Sequence, residues 1–248
     1  MSYHLKSAHK NYLEWLPSFN ASQLKSLAML SMLIDHVNKV LIGPYLTGQA
    51  GILAFVSSLF DILGRIAFPL FAFFIVEGFF KTHNRLKYLL RLLLFAAISE
   101  IPYDLFMSYQ LWNPNANNVL WTFIIGFGLI WLSDCLIKTA KTTWLKIGAG
   151  IIIAILLAIS CLIAMLASTD YEHYGVLIIF AFYLFYNQVW IASVFGLGIL
   201  YKERWSFLGF LAVLSYNGER GQQNKWLAYC FYPAHLLLIG IIRQILGV

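Results

Sequence analysis

Residues 64–106, GRIAFPLFAFFIVEGFFKTHNRLKYLLRLLLFAAISEIPYDLF, hold two apolar runs joined by a charged hairpin, and the hairpin orients everything around it. Lys81, Arg85, Lys87 and Arg91 crowd the junction, with no acidic residue between Lys81 and Arg91. Short basic loops of this kind stay on the cytoplasmic face of a bacterial-type membrane. The same stretch carries Arg65, Glu77, Arg91, Glu100 and Asp104 within or at the ends of its apolar runs. An unpaired charge at the centre of the hydrocarbon costs roughly 2.5 to 3.5 kcal/mol or more, so a plain lipid anchor would not retain them.

Composition points the same way. Of 248 residues, 60% are hydrophobic and 11% charged, with a mean hydropathy of +0.74, whereas a soluble domain carries about 25% charged residues. The apolar runs are too many and too long for a soluble core. They imply an all-α polytopic bundle in contact with membrane lipids, a single domain of seven to nine membrane helices. The net charge of +6 falls mostly in the gaps between runs, where it sets orientation, so nucleic acid is not an expected partner. Cys135, Cys161 and Cys230 have neither a close pair nor metal-ligand spacing and read as small packing residues.

Working outward, residues 66–80 cross inward to the hairpin and 88–106 cross back out, kinked near Pro102, whose ring removes one backbone hydrogen bond. Upstream, residues 1–20 are polar with interspersed aromatics and suit a short cytoplasmic or interfacial segment; they show no apolar core or cleavage site, so the first membrane helix is expected to do the targeting. That helix runs over 23–42, capped by Ser22 or Asn20 and ended by Gly43 and Pro44. Residues 51–63 are apolar but too short to cross and read as re-entrant or interfacial. Downstream, 119–137 returns to a second basic cluster at Lys138, Lys141 and Lys146, and 147–167 leads out to Asp170 and Glu172. Residues 175–200 are either one long span or two short helices broken near Tyr186, Asn187 and Gln188. A short helix over 205–216, a polar loop over 217–225 and a last span over 226–245 complete the chain, with the N-terminus cytoplasmic.

Ionisable residues inside spans are functional candidates. Asp35 and His36 lie in the first span, LKSLAMLSMLIDHVNKVLIG. Asp35 either pairs with Lys39 one turn on or serves a site; His36 shares a stripe with Met32, Met29 and Lys25 and can accept a proton. His235, in CFYPAHLLLIGIIR, follows Pro233 near a helix start or break and is the second candidate base. Glu100 and Asp104 share a helix face, where paired carboxylates either bind a cation or amine or balance Arg65. Glu77 can pair with Arg91, and the hairpin bases either set orientation alone or also bind phosphate. There is no G-x-S-x-G, Walker A loop, H-E-x-x-H or Cys/His metal spacing, and no internal repeat to support a transporter.

Three blocks, LKSLAMLSMLIDHV at 24–37, the stretch 64–105 and NVLWTFIIGFGL at 118–129, resemble the TraX family, whose members from F-type plasmids N-acetylate conjugative pilin. DYEHYGVL at 170–177, YNGERG at 216–221 and FYPAHLLLI at 231–239 extend the resemblance over nearly the whole chain, although DYEHYGVL carries three residues more before Gly175 than the family's D-Y-G-V form. The resemblance implies a multi-pass inner-membrane N-acetyltransferase that transfers acetyl from acetyl-CoA to the pilin α-amine. Arg85, Lys87 and Arg91 would then hold the phosphates of acetyl-CoA. His36 would be the base, tuned by Asp35, Glu77 or His235; Arg65 or Asn118 would sit at the oxyanion; Glu100 and Asp104 would receive the cationic pilin terminus. The competing reading is an assembly protein that holds pilin without chemistry.

Overall fold

The structure, a computed structural model, describes residues 17–46, 51–222 and 225–247; the expected interfacial segment over 1–20 lies, up to residue 16, outside the described residues. Among the described residues there is no strand, only isolated bridges between Phe19 and Tyr216 and between Asn117 and Thr169. The chain runs through α1 (Ala21–Val37), a π turn (Asn38–Ile42), α2 (Gly43–Leu46), α3 (Ile52–Gly64), α4 (Ala67–Lys81), α5 (Arg85–Ser108) and α6 (Val119–Thr139). It continues through α7 (Thr143–Leu166), α8 (Glu172–Leu184), α9 (Val189–Ile199), a 3-10 turn (Arg204–Ser206), α10 (Phe207–Leu214) and α11 (Lys225–Leu246). Among the described residues, five stretches are long and apolar enough to cross a membrane: Ala21–Leu46, Ile52–Lys81, Val119–Thr139, Thr143–Leu166 and Ala228–Leu246. This is a multi-pass all-α membrane protein.

Asn20, not Ser22, caps α1: its side chain accepts from Gln23 N at 3.0 Å while Gln23 Oε1 accepts from Asn20 N at 2.9 Å. The two bonds satisfy donors that a helix start otherwise leaves orphaned. The polar loop after α10 clasps the same place, with Ala21 N donating to Glu219 O at 2.8 Å and Lys81 Nζ to Gly218 O at 2.8 Å. At its far end α1 does not stop at Gly43 and Pro44 as expected. The helix widens into the π turn, where Gly43 N donates to Asn38 O. The wider turn absorbs the donor that Pro44 lacks, and the helix runs on to Leu46.

Residues 51–63, expected to be re-entrant or interfacial, are helical and run on into the next helix. Helix α3 passes into α4 through a two-residue turn at Arg65 and Ile66, and both lie antiparallel to α1. Asn38 Nδ2 donates to Ser57 O at 3.0 Å and to Asp61 Oδ1 at 2.7 Å, and Ser31 Oγ donates to Leu63 O at 2.6 Å. The combined stretch of 30 residues spans about 45 Å, longer than the hydrocarbon core of about 30 Å. Gly64 sits where a Cβ would overlap the Asp35 side chain, so α1 and the turn after α3 approach as closely as backbones allow.

Helix α4 is the centre of the bundle: nearly every side chain from Ala67 to Phe79 is buried, against α1, α6, α8 and α10. Phe73, Phe79, Phe127, Phe182 and Tyr216 meet there edge to face, a geometry worth roughly 0.5–1.5 kcal/mol per pair beyond area burial. Helix α5 packs mainly on α11 and α6. Between 175 and 200 the two-helix alternative is realised, because the chain turns at Phe185 and the Tyr186 hydroxyl is tied to Glu77 at 2.6 Å. Helix α7 lies outermost, apolar on every side with only Ala149 and Ala164 buried, as a helix bathed in lipid should be.

Candidate functional site

Helix α11 crosses α1 near its end and brings the two candidate histidines together. His36 Nδ1 lies 2.8 Å from His235 Nε2, and His235 Nδ1 lies 2.7 Å from Phe231 O. A backbone carbonyl only accepts, so His235 carries its proton on Nδ1 and offers Nε2 as an acceptor; His36 therefore donates through Nδ1, and its Nε2 holds a lone pair. Both tautomers follow from this network. The rings are nearly coplanar in orientation, 5° apart with centroids 5.1 Å apart. Phe106 lies against His36 and Phe231 stacks on His235, which is 5% exposed. One imidazole thus holds another in a single orientation, as second-shell partners hold metal-bound or catalytic histidines.

His36 faces a cavity of about 460 Å³. Its polar wall holds Asp35, Lys39, Asp61, Arg65, Asp170 and Tyr171, and its apolar wall holds Met32, Phe68, Phe71, Phe123 and Tyr232. Arg65 Nε pairs with Glu203 Oε2 at 2.8 Å, each side chain about a third exposed. Such a pair is worth little in stability and leaves the guanidinium turned to the cavity. The segment before α8 supplies the opposite side. Asp170 N donates to Asn117 O at 2.8 Å, Asp170 Oδ1 accepts from Tyr171 N at 3.2 Å, and Thr122 Oγ1 donates to Asp170 O. Ser168, Tyr171 and Glu172 adopt φ of 44°, 62° and 38°, a left-handed cluster costing about 1–3 kcal/mol per residue for non-glycine residues. Burial pushes the Asp170 carboxyl up from its ordinary range against the opposing pull of Lys39, the Tyr171 N–H and Arg65. Burial likewise raises the Tyr171 phenol, with Asp170 and Asp35 adding to it, so the phenol stays protonated.

Of the residues singled out from sequence, His36, His235, Asp35 and Arg65 converge here. Glu77 does not. It lies twelve positions from Arg65, roughly 18 Å along the helix, where its carboxylate takes Lys81 at 2.6 Å, Tyr186 at 2.6 Å and Tyr216 at 2.7 Å. The expected Glu77–Arg91 pair is replaced by these partners, and Arg91 Nε donates to Tyr229 at 3.3 Å. The hairpin bases diverge: Arg85 is paired with Asp134 at 2.5 Å and lies over the Phe79 ring, Arg91 turns to α11, and Lys87 is exposed. At the same end Lys25 lies 5.0 Å over the Phe74 ring and within electrostatic reach of Arg220 and Lys81.

Glu100, Asp104 and Asn118 do come together, but with each other rather than at the cavity's polar wall. Asn118 Nδ2 donates to Glu100 Oε2 and to Ala96 O, its Oδ1 caps α6 at Leu120 N, and Trp121 Nε1 donates to the same Glu100 oxygen at 2.8 Å. Asp104 Oδ2 accepts from Asn113 N at 2.9 Å. Both carboxyls and Asn118 are buried. With its amide committed to Glu100 and to the helix cap, Asn118 has no donor left for an oxyanion. Asp170 and Tyr171 were quoted from the sequence without a role. The signal that would have raised them is an acid beside a tyrosine directly before an apolar helix, a weak one.

A family model described as TraX protein matches residues 20–243. A Dichelobacter nodosus protein named as the probable fimbrial assembly protein FimC, serogroup H1, is 36% identical over 92 residues, 37% of this chain; the match spans 34% of that protein. No solved structure matches the chain.

Proposed function

This chain belongs to the TraX family, and on that premise we propose that it serves pilus or fimbrial assembly as a bacterial inner-membrane N-acetyltransferase, moving acetyl from acetyl-CoA to the α-amine of a pilin subunit. The observation that carries this reading is the His36–His235 pair at the wall of a polar cavity. An α-ammonium with a pKa near 8 is mostly protonated at neutral pH, so transfer needs a base, a place for the ammonium and a donor for the oxyanion. His36 Nε2 supplies the base and His235 spreads the imidazolium charge. Asp35 and Asp170 place carboxyls on the same wall, taking the role that Glu100 and Asp104, buried against their own donors, do not fill. Lys25 and Arg220 lie within electrostatic reach of each other at the basic end of the bundle, about 16 Å along α1 from His36, and suit the phosphates of a donor arriving from the cytoplasm.

The ammonium gives one proton to His36, the amine adds to the thioester carbonyl, and the C–S bond breaks. The thiolate takes a proton and one more proton leaves the site. No cofactor beyond the acyl donor is needed for this balance. A second reading, an assembly factor without chemistry, is favoured by one observation: the Dichelobacter nodosus relative carries the name of a probable fimbrial assembly protein. Intact mass of co-expressed pilin separates the two. The enzyme reading expects a gain of one acetyl group with the wild-type chain that disappears with His36→Ala at equal membrane abundance; pilin of unchanged mass alongside the wild-type chain would leave the assembly reading standing.

A further inference from the structure

Three tyrosines line the cavity, and resting on the acetyl-transfer reading, we propose that one of them, Tyr171, is the oxyanion donor for the tetrahedral intermediate. Four observations converge on it. Tyr171 lines the cavity together with His36 and Asp35. Its ring is clamped face to face on Phe68, with centroids 3.6 Å apart and planes 6° apart, so the hydroxyl has one position rather than several. Its backbone is held left-handed at φ 62°, an arrangement that the Asn117, Thr122 and Thr169 bonds around Asp170 over-determine. Strain retained in this way belongs to sites where a group must be held in place. Finally, Arg65, paired with Glu203 at 2.8 Å, lines the same cavity within electrostatic reach of the Tyr171 phenol.

A guanidinium only donates, so toward Arg65 the Tyr171 oxygen can serve only as acceptor, and its own proton is the group that can serve the cavity. A donor polarised by a cation behind it is stronger than an isolated phenol. Arg65 therefore acts through Tyr171 as a positioning residue, and the phenol meets the reacting oxygen. As the amine nitrogen forms its bond to the carbonyl carbon, the carbonyl π pair moves to oxygen, and the Tyr171 O–H donates a hydrogen bond to that oxygen without losing its proton. Collapse restores the carbonyl and breaks the C–S bond, and the sulfur keeps the bonding pair. Two protons leave the nitrogen by way of His36: one ends on sulfur and the other leaves the site.

The test is steady-state acetyl transfer from labelled acetyl-CoA to pilin in membranes carrying the full chain, with Tyr171→Phe and Phe68→Leu compared at equal folded abundance. Loss of one preorganised oxyanion donor lowers kcat ~10²–10³-fold, and Tyr171→Phe is expected to do so with the KM for acetyl-CoA unchanged. Phe68→Leu keeps the hydroxyl and loosens only the clamp, so its loss is expected to be smaller. A Tyr171→Phe chain that turns over like wild type overturns the assignment while leaving the transferase reading intact, as does a loss confined to KM. Wild-type membranes that transfer no acetyl to pilin overturn both.

Discussion

On the transferase reading proposed above, replacing His235 by Phe separates a base from the group that orients it. The ring shape and the stack on Phe231 are kept, but the acceptor 2.8 Å from His36 Nδ1 is lost. The position is 5% exposed, so water does not step in, and the His36 N–H is left as a buried donor without a partner. That penalty is about 1–3 kcal/mol, which at 1.36 kcal/mol per decade corresponds to a fall in rate of roughly 5- to 150-fold. Replacing His36 itself by Phe removes the base, and general-base catalysis is worth about 10²–10⁴-fold. The assay is the initial rate of acetyl transfer to pilin in membranes, divided by folded protein measured by fluorescence-detected size exclusion. The ordering expected is wild type, then His235→Phe, then His36→Phe, with the double variant no slower than His36→Phe alone. A His235→Phe chain as fast as wild type would refute the orienting role; one slower than His36→Phe would make His235 the base.

Three further outcomes follow from the packing. Glu77→Ala strips a buried carboxylate from the half-exposed Lys81 and from the Tyr186 and Tyr216 hydroxyls, and losing charge-assisted hydrogen bonds of this kind costs roughly 1.5–3 kcal/mol; the thermal midpoint in detergent should fall, and Glu77→Gln should fall less. Gly64→Ala drives a methyl into the Asp35 side chain, and an overpacked contact of this kind costs about 1–3 kcal/mol; transfer should weaken while the chain still reaches the membrane. The Asp170 carboxyl is raised in the folded chain, chiefly by burial. Its protonated form is therefore favoured on folding, and that stability is complete below its ordinary pKa of about 4 and is lost as pH climbs through the raised value. Asp170→Asn should flatten this part of the decline in thermal midpoint with rising pH; an unchanged slope would show that Asp170 does not cause it.

Much of the bundle is legible in the sequence, because long apolar runs and basic loops are local signals. The cap at Asn20 and the break at Tyr186 to Gln188 are each legible as one of two alternatives, and the polar loop after α10 is legible directly. The junction of α3 and α4 cannot be read this way, since a charge such as Arg65 marks a membrane edge equally well whether the helix stops or merely turns. Nor can the π turn: Pro44 removes a donor in either case, and only packing against Ser57 and Asp61 decides how the neighbouring turn responds. In the site, ionisable groups in or beside apolar runs single out His36, His235, Asp35 and Arg65, and the resemblance offers His235 as one of three partners for His36; spacing does not select it, because pairing across 199 positions leaves no periodic trace. Glu100 and Asp104 share a face as their spacing implies, but spacing does not say that Trp121 and Asn118 already occupy the first of them.

The separation of the two histidines along the chain also sets when the site comes into being. His36 enters the bilayer with α1 and His235 with α11, so every helix between them is synthesised and inserted before the imidazoles meet. On the transferase reading proposed above, the oriented base is therefore complete only once the last helix has arrived.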